Sequence, residues 1–335
     1  MTDLAATPFR WAILGTGNIA RQFATGLATL PHHELAFVGS RTVGSGESFA
    51  AEFGAKGAGD YDAAIRSDAD AVYVATPNTR HYANTVAALR ADKHVLCEKP
   101  LATGVQAANQ MYNVAREADR LLMEAFMYRA HPQTDAIRAV VESGRLGKLR
   151  LIRASFCYRT RKTDPAENIR FDERLAGGAL MDVGCYCLDA AMMLAGGEPK
   201  DVEAFAITEN GVDTAMSGMM RFKGGCLATF NCGLTTQADN TLHVCGDEGH
   251  LTVPVPWKPP ETRYTISHST PPKQDAPHGG NPLPPETVVE PVPDNLYALE
   301  AEAFRATANG ERRPFMSRGE SLRLARVMAY LRESI

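Results

Sequence analysis

The 335-residue chain lacks an uninterrupted apolar run of the ~20 residues needed to cross a bilayer, and its first residues, Met1-Thr2-Asp3-Leu4, lack the basic and apolar stretches of a secretory signal. A cytoplasmic protein with no membrane partner is expected. Charge of one sign is also missing: 35 Lys and Arg stand against 39 Asp and Glu, a formal net charge of -4. That balance leaves no electrostatic footprint for a nucleic-acid backbone or an anionic lipid surface. Cysteine is present but unorganised. The seven thiols, at 97, 157, 185, 187, 226, 232 and 245, are odd in number and form no C-x-x-C pair. They read as small buried hydrophobes rather than a disulfide framework or a zinc site, and no metal is expected. Repeats of solenoid period are absent too. What remains is an ordinary globular composition, 44% hydrophobic and 22% charged, long enough for two domains at ~150 residues each.

From Arg10 to about Met123, short apolar runs alternate with amphipathic stretches. The runs Trp11 to Leu14, Leu35 to Val38, Ala71 to Ala75, Val95 to Cys97 and Leu121 to Met123 are of strand length and nearly continuous. Parallel strands covered on both faces read this way. Helix candidates lie between them: Asn18 to Leu30, with Ala20, Phe23, Leu27 and Leu30 at helical spacing, and His81 to Arg90. Strand and helix in alternation predict the α/β class, a doubly wound parallel sheet.

After a helix over 134–143, strand patterns follow one another: Leu149 to Tyr158, Val202 to Thr208, Thr214 to Phe222, Cys226 to Leu234 and Thr241 to Cys245. They predict a second α/β domain on an open, mostly antiparallel sheet. One helix interrupts it, Ala179 to Ala195, entered through Gly177-Gly178 and closed by Gly196-Gly197. The expected domains are 1–125 and 126–335, with the final helix free to pack back on the first. Between Pro254 and Pro293 stand 12 of the 20 prolines. Such a density predicts an extended loop or lid without helix or interior strand, and with little chemistry. Two helices finish the chain, Asn295 to Asn309 and a last one whose Ser317 and Glu320 have capping-box spacing.

Directly after the first strand comes Gly15-Thr16-Gly17-Asn18-Ile19-Ala20, a G-x-G-x-x-A run opening the first helix. Gly15 permits a tight turn, Gly17 lets the backbone approach a pyrophosphate, and Ala20 keeps helix and strand close. The helix N-terminus then supplies free N–H groups to the phosphates. In strand-loop-helix context this predicts a dinucleotide site. The second strand ends Val38-Gly39-Ser40-Arg41, with no acid where a ribose 2′-hydroxyl usually finds one. A hydroxyl and a guanidinium suit a 2′-phosphate, so NADP is preferred over NAD. Glu47 is the competing group, within sequence reach of a ribose hydroxyl. Thr76-Pro77-Asn78 follows the strand ending at Ala75, at the carboxyl edge where such sheets bind ligands, and can line the nicotinamide side. His81, one turn on, either walls that cleft or is a helix-capping or surface histidine.

Two further segments carry chemistry. Lys99, in Glu98-Lys99-Pro100, emerges from the carboxyl end of the strand Val95 to Cys97. Asp182 and Tyr186 lie four apart on the helix that begins Gly177-Gly178-Ala179-Leu180-Met181-Asp182-Val183-Gly184-Cys185-Tyr186, and so share one face.

At these residues the chain resembles the glucose-fructose oxidoreductase / inositol dehydrogenase / MocA family of NAD(P)-dependent oxidoreductases. The likeness is carried by G-T-G-N-I-A at 15–20, T-P-N at 76–78, E-K-P at 98–100 and G-G-A-L-M-D-V-G-C-Y at 177–186, and the layout extends it over nearly the whole chain. The tyrosine in D-V-G-C-Y looks like the dimeric dihydrodiol dehydrogenase and D-xylose dehydrogenase branch, where many other members place histidine. The resemblance implies a Rossmann domain, a second domain whose open sheet makes a homodimer or homotetramer, and catalysis in the cleft between them. It assigns Lys99, Asp182 and Tyr186 as catalytic residues. Cofactor contacts would run from Gly15 to Ile19 and through Ser40, Arg41, Thr76 to Asn78, His81, Glu98 and Lys99. Arg170, in Asn168-Ile169-Arg170-Phe171, resembles an arginine that reaches cofactor or substrate from the second domain, although Ile169 replaces a common aromatic.

The chemistry agrees with that assignment. Oxidising an alcohol removes a hydride from carbon and a proton from oxygen, so a base must reach the hydroxyl. A free tyrosine, with a pKa of about 10, is too weakly ionised, but an adjacent ammonium favours its phenolate. The expected function is NADP-dependent hydride transfer to or from a small polyhydroxylated substrate, a monosaccharide such as D-xylose oxidised at C1. Oxidation of a trans-dihydrodiol and reduction of a keto-sugar share the same residues. The alternative of another class is a non-catalytic NADP-binding sensor; relatives of that kind can lose the lysine or the acid/base residue, and this chain keeps both. Arg159, Arg161 and Lys162 read either as a site for an acidic substrate or as a solvated loop. Phe126, Met127 and Tyr128 read as cleft floor or as core.

Overall fold

The computed structural model describes residues 7–268 and 283–334. In chain order the first part runs β1 (Phe9–Leu14), α1 (Asn18–Leu27), β2 (His33–Gly39), α2 (Val43–Phe53), β3 (Gly57–Gly59), α3 (Tyr61–Ile65), β4 (Ala71–Val74), α4 (His81–Arg90), β5 (His94–Glu98), α5 (Val105–Glu117) and β6 (Leu122–Ala125). The second runs α6 (Pro132–Glu142), β7 (Leu149–Cys157), α7 (Cys185–Ala195), β8 (Asp201–Glu209), β9 (Val212–Arg221), β10 (Leu227–Gly233), β11 (Leu242–Gly246), β12 (Gly249–Val253), β13 (Glu261–His268) and β14 (Glu286–Pro291). Helices α8 (Leu296–Ala308) and α9 (Arg318–Glu333) complete the order. The chain divides into two compact units, Met1–Ala130 with Asp294–Ala325, and His131–Pro293 with Arg326–Ile335.

In the first unit all six strands are parallel, in the order β3-β2-β1-β4-β5-β6. β4 is buried throughout, and β1 and β5 are buried beyond their first one or two residues, as their continuous apolar runs predict. β3, the tripeptide Gly-Ala-Gly, has no periodicity to announce it and extends β2 at the edge. The chain order reverses between β1 and β4, the switch point outside which such sheets take ligands. α8 belongs to this unit because its apolar stripe of Ala298, Ala301 and Phe304 is wholly buried, with Phe304 5.2 Å from the Trp11 ring. The close approach is made at Gly26 of α1, where a Cβ would lie 2.6 Å from the Ala298 nitrogen. The capping box forms as its spacing predicts: Ser317 N and Oγ both donate to Glu320 Oε2, at 2.9 and 2.6 Å.

The second unit is an eight-stranded sheet, β14-β13-β12-β11-β7-β10-β9-β8, antiparallel except for β7 with β10. The expectation that residues 254–293 hold no interior strand is wrong for β13, which pairs with β12 on one side and β14 on the other. Its eight residues contain no proline, and Thr262, Tyr264 and Ile266 alternate inward. The prolines lie on either side, so their average density concealed it. Residues 269–282 of that segment lie outside the described residues.

The segment Glu173–Ala195 is long and apolar enough to cross a bilayer by length and mean composition, although charged residues interrupt it, but 83% of its most apolar window is buried inside the protein. Its hydrophobicity is used as core. Six of the seven cysteines are buried thiols and Cys245 is half-buried.

Candidate active site

In the first unit the sequence-predicted cofactor residues gather at the carboxyl edge of the parallel sheet. Gly15 has φ +106°, and a Cβ there would sit 2.5 Å from the Ala75 carbonyl oxygen. Only glycine lets the loop after β1 pass so close to the end of β4. At Gly17 a Cβ would meet nothing within 4 Å. Space is therefore open in front of the α1 N-terminus, whose first turn carries no acid and whose N-cap has no side-chain bond. Thr16, Asn18 and Ile19 complete this turn. An uncapped, acid-free N-terminus beside an open glycine fits a pyrophosphate. Ser40 is buried at the end of β2, its N–H donating to Gly59 O at 2.9 Å, while Arg41 is exposed.

His81 is a brace. Its ring is buried, with Nδ1 2.9 Å from Pro100 O and Nε2 2.8 Å from Thr76 O, so both nitrogens are engaged by carbonyls. It ties the Thr76-Pro77-Asn78 loop to the Lys99-Pro100 loop instead of walling the cleft. Burial lowers its pKa, while the two carbonyl contacts act to raise it. Glu98 also points inward: Tyr73 Oη donates to Oε1, and the Lys99 N–H donates to Oε2 at 3.2 Å. Lys99 follows at the end of β5, half-buried. Phe126, Met127 and Tyr128 are buried, which favours the core reading.

In the second unit, three predicted residues come together. Arg170 Nε donates to Asp182 Oδ2 at 2.8 Å. The Arg170 pKa is raised, first by the Asp182 charge and further by Tyr158 and Tyr186. The Gly177-Gly178 pair makes this possible, because a Cβ on either would collide with the Arg170 carbonyl or the Asp213 carboxylate, and Gly178 has φ +114°. Gly178 N–H donates back to Arg170 O at 2.8 Å.

The expected regular helix is interrupted. Leu180–Gly184 forms one π-helical turn before α7 begins at Cys185, so Asp182 and Tyr186 are not stacked on an ideal α-helical face. Single π turns recur at functional sites. The basic cluster resolves to the solvated reading: Arg159, Arg161 and Lys162 are exposed, and Lys162 lies 4.0 Å from Glu167.

The structure adds groups that sequence reasoning missed. Tyr158 Oη donates to the same Asp182 oxygen at 2.7 Å, and burial, then the Asp182 charge, pushes its pKa up. Tyr158 therefore keeps its proton and helps hold the carboxylate. Tyr186 is nearly buried, its ring centroid 5.3 Å from Phe156 and 6.0 Å from Trp257. Trp257 stacks on Phe156 at 5.7 Å and donates Nε1–H to Ser155 O at 2.7 Å. It stands in the proline-rich segment, where little chemistry was expected. Asp213 accepts the Leu180 N–H at 2.6 Å and anchors the start of the helix.

Residues 9–126 match the oxidoreductase family with an NAD-binding Rossmann fold, and residues 134–252 match the GFO/IDH/MocA C-terminal domain. The chain belongs to the GFO/IDH/MocA oxidoreductase family. Among its relatives, the trans-1,2-dihydrobenzene-1,2-diol dehydrogenase of Mus musculus is 33% identical over 75% of this chain and 76% of its own length. The D-xylose 1-dehydrogenase (NADP(+)) 2 of Haloferax volcanii is 32% identical over 97% and 96%. A solved structure of KijD10, a 3-ketoreductase from Actinomadura kijaniata in complex with NADP and TDP-benzene, has a TM-score of 0.84 at 29% identity, covering 98% of both chains. This GFO/IDH/MocA chain is thus an oxidoreductase with a dinucleotide-binding domain. The Rossmann fold, the mostly antiparallel second sheet and the family resemblance expected from the motifs are all borne out.

Proposed function

We propose that this protein is an NADP-dependent dehydrogenase or reductase of a small polyhydroxylated substrate, a monosaccharide such as D-xylose oxidised at C1. The observation that carries the reading is the Asp182 carboxylate, held by Tyr158 and Arg170 one turn before Tyr186. A carboxylate with two donors already on one oxygen is fixed in place for a substrate hydroxyl. The nicotinamide, when bound, supplies or accepts the hydride. Tyr186 exchanges the hydroxyl proton, Lys99 favours its phenolate, and Asp182 with Arg170 orients the sugar. NADP is preferred because Ser40 and Arg41, with no acid, end β2. The name and near-complete coverage of the Haloferax relative support both cofactor and substrate class.

A second reading, oxidation of a trans-dihydrodiol, is favoured by the Phe156–Trp257 pair beside Tyr186 and by the names of the dihydrodiol relatives. Reduction of NADP across pentoses, hexoses, polyols and trans-dihydrodiols separates the two. Tyr186→Phe should abolish turnover while leaving NADPH binding nearly intact, and wild-type turnover in that variant would refute the proton-transfer role. Silence in both directions across the panel would instead favour a sensor.

The open sheet supports self-association. Phe205, Ile207 and Met219 are 87%, 63% and 54% exposed, and Leu151 is exposed on β7. Large apolar side chains exposed together on strands of one open sheet suit a protein contact, and we assign them to a second copy of this chain. Light scattering of the purified protein tests this, and a monomer at micromolar concentration would refute it.

A further inference from the structure

The chain returns to the first unit at Asp294, and α8 is the element it lays down there. Its amino-terminal half rests on α1, where Tyr297 Oη donates to Gln22 Oε1 at 3.1 Å. Its carboxyl-terminal half is fastened differently. His33, the first residue of β2, has a side chain only 1% exposed and bridges β1 and α8 with a bond on each ring nitrogen. Trp11 Nε1–H donates to Nδ1 at 3.0 Å, and Nε2 lies 2.8 Å from Glu302 Oε2. An indole nitrogen can only donate, so Nδ1 must be bare and the ring proton must sit on Nε2, where it donates to Glu302. Arg305 holds the same carboxylate from one turn on, its Nη2 2.8 Å from Oε1, and Phe304 packs 5.2 Å from the Trp11 ring. Side chains from β1, β2 and α8 thus share one directed line of hydrogen bonds.

That line does not accommodate a second proton. Protonated His33 would direct Nδ1–H at Trp11 Nε1–H, two donors face to face, so the ring must leave the indole before it can carry a charge. We propose that His33 is an acid-sensitive clip that fastens the second half of α8 to the parallel sheet and lets go when its ring takes up a proton. The charged and titratable groups that bear on it are Glu302 and Arg305 from α8 and the adjacent His32, while β1 presents the rings of Phe9 and Trp11 on this side. Burial is the largest influence and lowers the His33 pKa; the Glu302 bond opposes it, and Arg305 and His32 add to the lowering. Glu302 stays ionised, because the bonds from Arg305 and His33 outweigh the burial that would raise it. A ring that is harder to protonate when clipped than its ordinary 6.5 keeps the clip closed above that pH and loses it progressively below.

The test is hydrogen exchange followed by mass spectrometry on the full-length protein from pH 7.5 to 5, corrected for intrinsic rates, with α5 of the same unit as the internal reference. Below 6.5 the protection of α8 should fall by up to about tenfold per pH unit in wild type, while α5 stays protected. His33→Gln, which cannot titrate, should show no such slope whatever its absolute protection. Trp11→Phe removes the opposing donor and lets Nδ1 take a proton with the Glu302 bond kept, so its slope should shrink. A flat wild type, or a wild-type slope in His33→Gln, overturns the proposal, and α5 losing protection in parallel overturns it in favour of global unfolding. Should Trp11→Phe fail to fold, the ring nitrogen chemical shifts of His33 in wild type decide: a bare Nδ1 with a protonated Nε2 at pH 7.5 supports the clip, and the opposite tautomer overturns it.

Discussion

Asp213 should make the second unit more stable as the pH falls toward 4, against the usual trend for carboxylates. Its side chain is buried under the start of the helical segment that leads into α7, accepting the Leu180 N–H, and burial raises its pKa from 3.8 to about 6. Backbone N–H groups and the Arg332 charge oppose that rise without cancelling it. A carboxyl whose pKa is higher when folded favours the protonated state, so its stabilisation is complete below the unfolded value near 4 and disappears as the pH rises through about 6. The gap between 3.8 and about 6 amounts to about 3 kcal/mol, by which the ionised group at pH 7 weakens the fold relative to the neutral one. Asp213→Asn fixes the neutral state while keeping an oxygen for Leu180. Its melting temperature should match wild type near pH 4 and exceed it at pH 7.5 by roughly 6–12 °C, taking a unit of about 150–250 residues. Paired surface carboxylates such as Asp201 and Asp247 titrate identically in both proteins and cancel in the difference. Differential scanning calorimetry of the two chains from pH 4 to 8 measures it. A pH-independent difference, or wild type gaining on the variant as the pH rises, would refute the reasoning.

Two glycines of the dinucleotide loop should separate stability from binding. Gly15→Ala forces a Cβ against the Ala75 carbonyl at φ +106° and should lower stability by at least roughly 1–3 kcal/mol in urea unfolding. Gly17→Ala meets open space and should change stability by less than about 0.5 kcal/mol, while weakening NADPH at least tenfold by fluorescence titration. Equal effects of the two substitutions on both readouts would contradict the assigned roles. Trp257→Leu removes the ring packing on Phe156 and Tyr186 and the bond to Ser155 O, and should destabilise by about 2–4 kcal/mol. It should also lower kcat more than it raises KM, because Tyr186 loses its lateral support. Unchanged kcat in a folded variant would leave Trp257 a purely structural residue.

Local pattern made the first unit legible because its strands are buried on both faces and its loop chemistry is short-range. Trp11 to Leu14, the glycine turn and the acid-free start of α1 are adjacent in sequence, so strand, loop and helix could be read together. β3 escaped, since Gly57, Ala58 and Gly59 carry no side-chain period. β13 escaped for a different reason. Proline acts residue by residue on the backbone it occupies, and averaging it over forty positions hid an eight-residue alternating strand with none.

The candidate site was legible where a motif names its own residues and illegible where contact spans the chain. Lys99, Asp182 and Tyr186 sit inside recognisable strings. Tyr158, Asp213 and Trp257 do not, and each reaches its partner across 24, 33 and 71 positions respectively. The Gly177-Gly178 pair shows how the two kinds of information meet. Read locally it is a helix entry, but in the fold it lets the Arg170 backbone and the Asp213 carboxylate approach from different elements at once. The same two glycines therefore deliver Arg170 to Asp182 and set Asp213 under Leu180. A substitution at Gly178 should consequently disturb both the ion pair and the Asp213 titration, whereas one at Tyr158 should disturb only the first. Following the Asp213-dependent stability difference in the Tyr158→Phe background checks that separation: an unchanged midpoint near pH 6 supports it, and a displaced one means that the two contacts share a single network.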